Sequence, residues 1–546
     1  MKEKALLSVQ DLSVTFQTDD RFVEAVSHVS FDVQPGEVVG LVGESGSGKT
    51  VTGMSILRLV PTPPGRYAGG KILFEDQDIL QMAPEDLRTI RGAKISAIFQ
   101  EPMTALSPLK TVGAQLTELL DIHHPDWSKQ RKREMVIDWL DKVGIPDPVY
   151  RYQQFPFQYS GGMRQRVTIA MALMLEPRLI IADEPTTALD VTLQAQVFDL
   201  MMKMKADKTS LIFITHDMGV VWELSDRVLV MKDARLVEEG EVESLFGNPR
   251  EAYTQKLLHA VPRLQDKPVR EHHVFPDAPI LRTEGLQTWF PIKGGLLSRT
   301  HGHVKAVNGV DLQIRAGETV GVVGESGSGK STLGRTLIGL ENATGGAVYY
   351  EERPVHALRG REWRPIRREV QMIFQDPYSS LNGRMKILDL LSEAPVVHGM
   401  IPKKDPDYVA NCLEEVGLKA DMMYRFPHEF SGGQRQRICI ARALALRPKI
   451  IICDEAVSAL DVTIQAQILE LLLELRARHE LAYLFISHDL SVVKRICDQV
   501  LVMRNGEVVE AGPPAQVVDD PQHEYTRNLL AAVPSPGDLN RRRRTT

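Results

Sequence analysis

The stretch VVGLVGESGSGKT, from Val38 to Thr50, is the strongest indication of fold class in this sequence, and it recurs as TVGVVGESGSGKS from Thr319 to Ser331. Each copy fits the pattern G-x-x-x-x-G-K-[ST], follows an apolar run typical of a buried strand and precedes a helical pattern. In such loops, backbone N–H groups face phosphate oxygens, the lysine adds a positive charge and the hydroxyl reaches Mg²⁺. The sequence therefore predicts two phosphate-binding loops. The residues expected to bind nucleotide there are Gly43, Gly46, Gly48, Lys49 and Thr50 in the first loop, and Gly324, Gly327, Gly329, Lys330 and Ser331 in the second.

Further motifs return in the same order, so the chain repeats a unit of about half its length. The motif IFQEP around Gln100 returns as IFQDP around Gln375, LIIADEPTTALD returns as IIICDEAVSALD, and FITHD returns as FISHD. The ends of the unit repeat as well, since NPREAYTQKLLHAVP resembles DPQHEYTRNLLAAVPSP. We predict one domain over residues 1–262 and another over 282–546, joined by a polar, proline-containing linker over 263–281.

The pattern within each unit predicts an α/β fold with a mainly parallel sheet. Apolar, β-rich runs such as Leu179 to Ala182 and Leu211 to Thr215 alternate with helical stretches, as expected for strands buried on both faces. Residues between the Gln100 and Ser160 motifs have a helical pattern, as do those between the corresponding motifs of the second unit. We assign these parts to a helical subdomain.

A pair of acids ends one apolar run in each half: Asp183 and Glu184 in the first, Asp454 and Glu455 in the second. The first acid of each pair can hold Mg²⁺, and the second can orient or deprotonate an attacking water. An Asp-Glu pair can also simply begin a solvated loop. Its place after a phosphate loop favours the catalytic interpretation, because phosphoryl transfer needs a metal ligand and a water-positioning group.

Two further residues follow apolar runs in each half. His216 and His488 each precede an aspartate, and their recurrence indicates a contact to the γ-phosphate, although a lone histidine is usually structural. Gln100 and Gln375 each end an Ile-Phe run and can reach Mg²⁺ or the attacking water. The predicted catalytic residues are thus Glu184, His216, Glu455 and His488. The predicted metal-binding residues are Thr50, Gln100, Asp183, Ser331, Gln375 and Asp454.

The loops Ser160-Gly161-Gly162 and Ser431-Gly432-Gly433 resemble the signature loop of the ATP-binding-cassette ATPases, and the resemblance covers nearly the whole chain. It implies two P-loop NTPase domains, each with a mainly parallel core, a β-subdomain and a helical subdomain. In that family the signature loop completes the phosphate site of the other cassette, as suits an anion-binding nest at a helix start. The resemblance therefore implies two composite ATP sites, each needing both halves.

One composite site would combine Ser431 and Gly433 of the second half with six residues of the first half: Lys49, Thr50, Gln100, Asp183, Glu184 and His216. The other composite site would combine Ser160 and Gly162 of the first half with six residues of the second half: Lys330, Ser331, Gln375, Asp454, Glu455 and His488. Phe16 and Phe290 occupy the positions at which the family has an aromatic side chain that stacks on adenine. These aromatics could instead pack in the core, and Trp289 is an alternative candidate to Phe290. Met163 and Ala456 depart from the family pattern, which usually has Gln or Glu and Pro there. Neither departure removes a catalytic group, so both sites are expected to hydrolyse ATP.

The segments QEPMTALSP and QDPYSSLN, with the tails near Tyr253 and Tyr525, are similar to those of the dipeptide, oligopeptide and nickel importer branch of this family. Fused cassettes with a short linker resemble ATP-binding subunits of importers for peptides, glutathione or antibiotics such as microcin C. The resemblance implies two transmembrane permease subunits and an extracytoplasmic solute-binding protein as partners. It also implies a peripheral location at the cytoplasmic face of the bacterial inner membrane.

Composition agrees with that location. The sequence carries a net charge of -6, which gives no attraction to nucleic acid, and it has neither a secretory signal nor a run of about 18 apolar residues. The four cysteines form no C-x-x-C pair, which argues against an iron–sulfur cluster.

The alternative to an importer subunit is a soluble double-cassette ATPase of ribosomes or DNA. Such proteins carry a long charged linker or zinc-binding cysteines, and the sequence has neither. Its Arg541 to Arg544 run is interpreted as a solvated tail.

Overall fold

The computed structural model describes residues 4–17, 22–99, 105–186, 191–204, 208–262, 264, 275–294, 299–458 and 460–534. The chain divides into two compact units. The first contains residues 1–189, 193–261 and 534–546, and the second contains residues 190–192 and 262–533. The linker predicted over 263–281 lies mostly outside the described residues, so its boundaries stay a prediction.

The strands of the first unit form two sheets within the described part of the chain. An antiparallel sheet has the order β2-β1-β4-β5, and a mixed sheet has the order β10-β9-β3-β8-β7-β6. The strands are β1 (Leu7–Gln17), β2 (Phe22–Val33), β3 (Val38–Val42), β4 (Gly65–Phe74), β5 (Gln77–Asp78), β6 (Ile95–Ile98), β7 (Leu179–Asp183), β8 (Ser210–Ile214), β9 (Arg227–Lys232) and β10 (Arg235–Glu241).

The described helices of the first unit lie between these strands in sequence, except for the last two, which follow β10. They are α1 (Lys49–Ile56), α2 (Pro84–Ile90), α3 (Val112–His123), α4 (Lys129–Lys142), α5 (Pro148–Arg151), α6 (Gly161–Leu173), α7 (Val191–Met204), α8 (Met218–Leu224), α9 (Val242–Gly247) and α10 (Ala252–Ala260). Short 3-10 turns cover Ile79–Gln81 and Pro156–Gln158.

The central strand β3 explains why the first unit is α/β. All five of its residues are buried, and it pairs in parallel with β8 on one side and β9 on the other, so that Leu41 lies opposite both Ile214 and Leu229. A strand between parallel neighbours is covered on both faces and is therefore apolar throughout. This arrangement places the end of β3, where the phosphate loop begins, at the carboxyl edge of the sheet.

The helical subdomain predicted between residues 100 and 160 consists of α3, α4 and α5. The Thr111 hydroxyl accepts a hydrogen bond from the Ala114 N–H at 3.3 Å and so caps α3. Ser128 caps α4 in the same way. Leu116 on α3 and Leu140 on α4 are fully buried in a cluster that also contains residues 167–173 of α6, so the subdomain packs against the second half of that helix.

The second unit repeats this design in its described residues. Its sheets have the orders β12-β11-β14-β15 and β16-β17-β18-β13-β19-β20. The strands are β11 (Leu281–Gly294), β12 (Arg299–Ile314), β13 (Thr319–Val323), β14 (Gly345–Tyr350), β15 (Arg353–Pro354), β16 (Val370–Ile373), β17 (Ile450–Asp454), β18 (Ala482–Ile486), β19 (Gln499–Arg504) and β20 (Glu507–Gly512).

The helices of the second unit follow the same plan. They are α11 (Lys330–Leu337), α12 (Arg364–Glu369), α13 (Pro377–Ser380), α14 (Ile387–Val397), α15 (Pro406–Glu415), α16 (Gly432–Leu444), α17 (Val462–His479), α18 (Leu490–Ile496), α19 (Pro514–Val517) and α20 (Glu524–Ala532). Among the residues that the structure describes, no helix combines the length and the apolar character needed to cross a membrane. Each unit thus has a mostly parallel sheet, an antiparallel sheet and a helical part, as predicted.

Candidate nucleotide sites

The phosphate loops join β3 to α1 and β13 to α11, and their shape requires glycine. Gly48 and Gly329 precede the helices with φ angles of 100° and 104°, in the left-handed region that residues with a side chain rarely adopt. A Cβ atom at these positions would also overlap the carbonyl oxygens of Ala25 and Ala306, respectively. The loop can therefore pass close to the antiparallel sheet only with glycine there.

Each loop lysine is held by its own loop. The Lys49 ammonium donates to the carbonyl oxygens of Gly43, at 2.8 Å, and Glu44, at 2.9 Å. Lys330 makes the same two contacts in the second loop at 2.7 and 2.8 Å. Both lysines are buried, which is unusual for this residue type, and these bonds keep the positive charge at the loop.

The hydroxyl after each lysine contacts the acid that ends the neighbouring strand. The Thr50 Oγ1 donates to Asp183 at 3.2 Å, and the Ser331 Oγ donates to Asp454 at 2.8 Å. Burial raises the pKa of Asp183 to about 6, against the opposing effect of the Thr50 hydrogen bond. Burial also raises the pKa of Asp454. Each unit thus brings a hydroxyl and a buried carboxyl together, as predicted for a Mg²⁺ site.

The second acid of each pair faces the predicted histidine. Nδ1 of His216 lies 3.1 Å from Oε1 of Glu184, and Nδ1 of His488 lies 3.5 Å from Oε2 of Glu455. Both glutamates have left-handed backbones, with φ angles of 45° and 48°. This uncommon conformation turns the chain directly after the strand, so that the carboxylate lies beside the histidine.

The second site also includes its predicted glutamine. Gln375 donates from Nε2 to Oε2 of Glu455 at 2.7 Å. Burial alone would raise the pKa of Glu455, but the combined effect of His488, Lys330 and Gln375 lowers it. Burial by itself would lower the pKa of His488, but the contact with Glu455 raises it above its usual value. The corresponding Gln100 lies outside the described residues, so its role stays a prediction.

The signature serines begin α6 and α16. Ser160 accepts a hydrogen bond from the Met163 N–H at 3.3 Å, and Ser431 accepts one from the Gln434 N–H at 3.4 Å. In the second unit the Gln434 side chain also accepts from the Ser431 N–H at 3.1 Å, which completes a capping box. Gly161, Gly162, Gly432 and Gly433 form the first turns of these two helices.

The aromatic residues predicted to stack on adenine lie on β1 and β11. Phe16 is half-buried against the core and pairs with Val23, and Phe290, 37% exposed, pairs with Val304. Trp289, the rival candidate, packs near His303 and beneath the Lys305 ammonium. The structure therefore leaves both phenylalanines partly accessible, and their contact with adenine stays a prediction.

Two tyrosines in the C-terminal extensions contact the phosphate loops, which the sequence analysis did not predict. The Tyr253 hydroxyl accepts a hydrogen bond from the Glu44 N–H at 3.0 Å, and the Tyr525 hydroxyl accepts one from the Glu325 N–H at 3.0 Å. The sequence contains a signal for these contacts, because both tyrosines recur at matching places in the repeat. That recurrence is interpreted above as typical of an importer branch, not as part of a nucleotide site.

Comparisons with known proteins identify the family of the chain. The ABC transporter family matches residues 26–187 and 307–458, and the C-terminal region of oligopeptide/dipeptide transporters matches residues 237–284 and 509–546. Among the solved structures, a post-hydrolysis dimer of the ATP-binding cassette MJ0796 with ADP and Pi covers 43% of this chain and 98% of its own, at 26% identity and a TM-score of 0.39.

Curated relatives match over nearly the full length. The peptidoglycan transport ATP-binding protein YejF of Agrobacterium fabrum is 48% identical over 98% of this chain and 98% of its own length. The glutathione import ATP-binding protein GsiA of Escherichia coli is 46% identical over 97% of this chain and 89% of its own length. The chain therefore belongs to the ABC transporter family, as an ATPase with two ATP-binding cassettes.

Proposed function

We propose that the chain supplies ATP hydrolysis to a bacterial importer of peptides or related small solutes. The observation that carries this proposal is that, in both halves, a phosphate loop whose hydroxyl contacts a buried carboxyl occurs together with an oligopeptide-type C-terminal region. Relatives named for peptidoglycan and glutathione transport favour peptide-like solutes. None of these relatives is named for ribosomes or DNA, so the soluble alternative is not favoured.

The donor set of each site suits Mg²⁺. Thr50 with Asp183, and Ser331 with Asp454, offer hard oxygen atoms close to a buried lysine, and Mg²⁺ usually takes few protein ligands beside phosphates and waters. Once bound, the ion would neutralise charge on the β- and γ-phosphates. No group of three or more metal-binding side chains occurs in the described ranges.

The glutamates are the proposed general bases. Glu455 accepts a hydrogen bond from Gln375, and its low pKa keeps it ionised near neutral pH, ready to orient water toward the γ-phosphate. His488 then contacts the γ-phosphate, with its ring fixed by that glutamate. Glu184 and His216 have the same roles in the first site.

The composite arrangement of the family gives hydrolysis its mechanical effect. ATP bound by the phosphate loop of one cassette and the signature serine of the other favours a closed pair. Hydrolysis removes those contacts and allows reopening. Two permease subunits, docked on the helical subdomains at the cytoplasmic face of the inner membrane, would convert this motion into transport, and an extracytoplasmic binding protein would deliver the solute.

Affinity purification of the tagged chain from detergent-solubilised membranes, with mass spectrometry, tests the proposal. We expect two multi-spanning permeases to accompany the chain. Leu109, 86% exposed beside the first helical subdomain, offers a matched variant: Leu109→Asp should lose the permeases and keep ATP hydrolysis. Phe22→Asp, a control on the antiparallel sheet at 62% exposure, should keep both. Recovery of ribosomal or DNA-repair proteins in place of permeases would contradict the transport function.

A further inference from the structure

The C-terminal extensions reach the phosphate loops of their own units through tyrosine. In both units the phenol oxygen accepts a hydrogen bond at 3.0 Å from the N–H of the residue after the first loop glycine, Glu44 or Glu325. The two contacts are independent observations, because they belong to different units of the chain. The same contact therefore recurs in both repeats.

The residue whose N–H bonds the tyrosine also bonds the loop lysine, through its carbonyl oxygen. The carbonyl oxygen of Glu44 accepts from the Lys49 ammonium at 2.9 Å, while its N–H donates to Tyr253. In the second unit, Glu325 joins Lys330 to Tyr525 in the same way. One residue therefore connects the extension to the cation that the ATP phosphates require.

The tyrosines are themselves held in place. The Glu238 carboxylate on β10 accepts from the N–H groups of Arg250 and Glu251, just before helix α10, at 2.8 and 3.2 Å. Leu257 and Leu258 of that helix pack in a core cluster with Val42, the last residue of β3 before the loop. The helix thus rests on the strand that presents the phosphate loop.

The second extension is anchored by the same means. Glu510 on β20 accepts from the N–H groups of Gln522 and His523 at 2.7 and 3.2 Å. Tyr525, only 5% exposed, shares a core cluster with Val323, which precedes the second loop. The Arg504 guanidinium lies 4.9 Å from the centre of the tyrosine ring, as the Lys232 ammonium lies 5.1 Å from that of Tyr253.

We propose that Tyr253 and Tyr525 are positioning residues for ATP binding, through which the C-terminal extensions hold the phosphate loops ready for nucleotide. The inference deepens the proposed function and rests on ATP binding by the chain. Removing the hydroxyls should leave the Glu44 and Glu325 peptides free to rotate and the lysines less well placed. The effect should fall on ATP affinity more than on the chemical step.

The test is the double variant Tyr253→Phe/Tyr525→Phe, which keeps both rings and removes only the hydroxyls. We expect KM and Kd for ATP to rise about tenfold, with kcat within about twofold of wild type. Hydrogen exchange should become faster in the peptides containing Glu44 and Glu325, because each amide loses its acceptor. The control is Tyr150→Phe/Tyr424→Phe, at exposed tyrosines of the two units, which should change none of these values.

The outcomes separate the inference from the proposed function. Unchanged ATP affinity and unchanged amide exchange in the double variant, with a wild-type chain that binds ATP, would overturn the inference alone. A lower thermal unfolding midpoint with unchanged affinity would also overturn it, because that is the signature of a packing role. A wild-type chain that does not bind ATP would overturn both.

Discussion

The two predicted nucleotide sites share the loop lysine, the hydroxyl, the paired acids and the histidine, and they differ in the residues that support them. Lys49 and Lys330 are held by equivalent loop carbonyls. By contrast, Gln434 completes a capping box at the second signature helix, whereas Met163 offers no acceptor at the first. The chemical groups of the two sites are therefore alike although their supporting residues differ, so both sites should turn over.

A second difference lies after Glu184 and Glu455, the proposed general bases. In the first unit, Gln165 donates a hydrogen bond to the carbonyl oxygen of Pro185. In the second unit Ala456 takes the place of that proline, and Nε2 of Gln436 has no hydrogen-bond partner among the described residues. The loop after Glu455 therefore has a different support, although Glu455 keeps the same left-handed backbone.

The largest effect should come from neutralising the proposed bases. We expect Glu184→Gln and Glu455→Gln each to lower steady-state ATP turnover at least about 100-fold and to spare ATP binding, because an amide cannot accept the proton of water and the unhydrolysed ATP keeps the proposed pair closed, which also stops turnover at the other site. Phosphate release and ATP binding would be measured together. Glu85→Gln and Glu474→Gln, at exposed glutamates, serve as controls. A wild-type rate in either variant would break the equivalence of the sites.

The next largest effect, on stability and ATP binding, should come from substituting the glycines that precede the loop lysines. Gly48→Ala and Gly329→Ala combine a left-handed backbone with overlap of a carbonyl oxygen, so each should lower the free energy of unfolding by about 2 kcal/mol and weaken ATP binding. Thermal unfolding with and without ATP measures both. Gly69→Ala and Gly383→Ala have open space around the new methyl group and should change stability by less than about 0.5 kcal/mol. Equal effects at all four positions would contradict this explanation.

The raised pKa of Asp183 predicts a pH dependence. A carboxyl with a folded pKa of about 6 takes up a proton on folding between pH 7 and pH 5, so acidification stabilises the folded apo chain. We expect wild type to gain about 1 kcal/mol over Asp183→Asn across that range in the presence of a chelator. Chemical denaturation at the two pH values provides the measurement, and a constant difference between the two proteins would show that the acid is already ionised.

The smallest effect should come from exchanging the capping residues. Gln434→Met should cost about 0.5 kcal/mol, because the Ser431 N–H loses its acceptor, and Met163→Gln should gain about the same by completing the box. Thermal unfolding midpoints would report both. Met163→Leu, which offers no acceptor, should leave stability unchanged. A loss of stability in Met163→Gln would mean that the two helix starts differ in more than this residue.

Much of the molecule could be predicted from the sequence, because its motifs combine local geometry with chemistry. The apolar run Leu179 to Ala182 predicted strand β7, and the phosphate loops predicted the start of α1 and α11. The left-handed turn at Glu184 could not be predicted, since it depends on a hydrogen bond from its N–H to the Ile214 carbonyl across the sheet. The Tyr253 contact was missed for the same reason, because it joins residues 209 positions apart.

The number of ATP molecules bound per chain tests whether both halves contain a working site. The double variant Glu184→Gln/Glu455→Gln should trap ATP without hydrolysing it, and native mass spectrometry in the presence of Mg²⁺ can count the bound molecules. Two ATP molecules per chain are predicted. One ATP molecule, or none, would contradict the claim that both halves contain a working site.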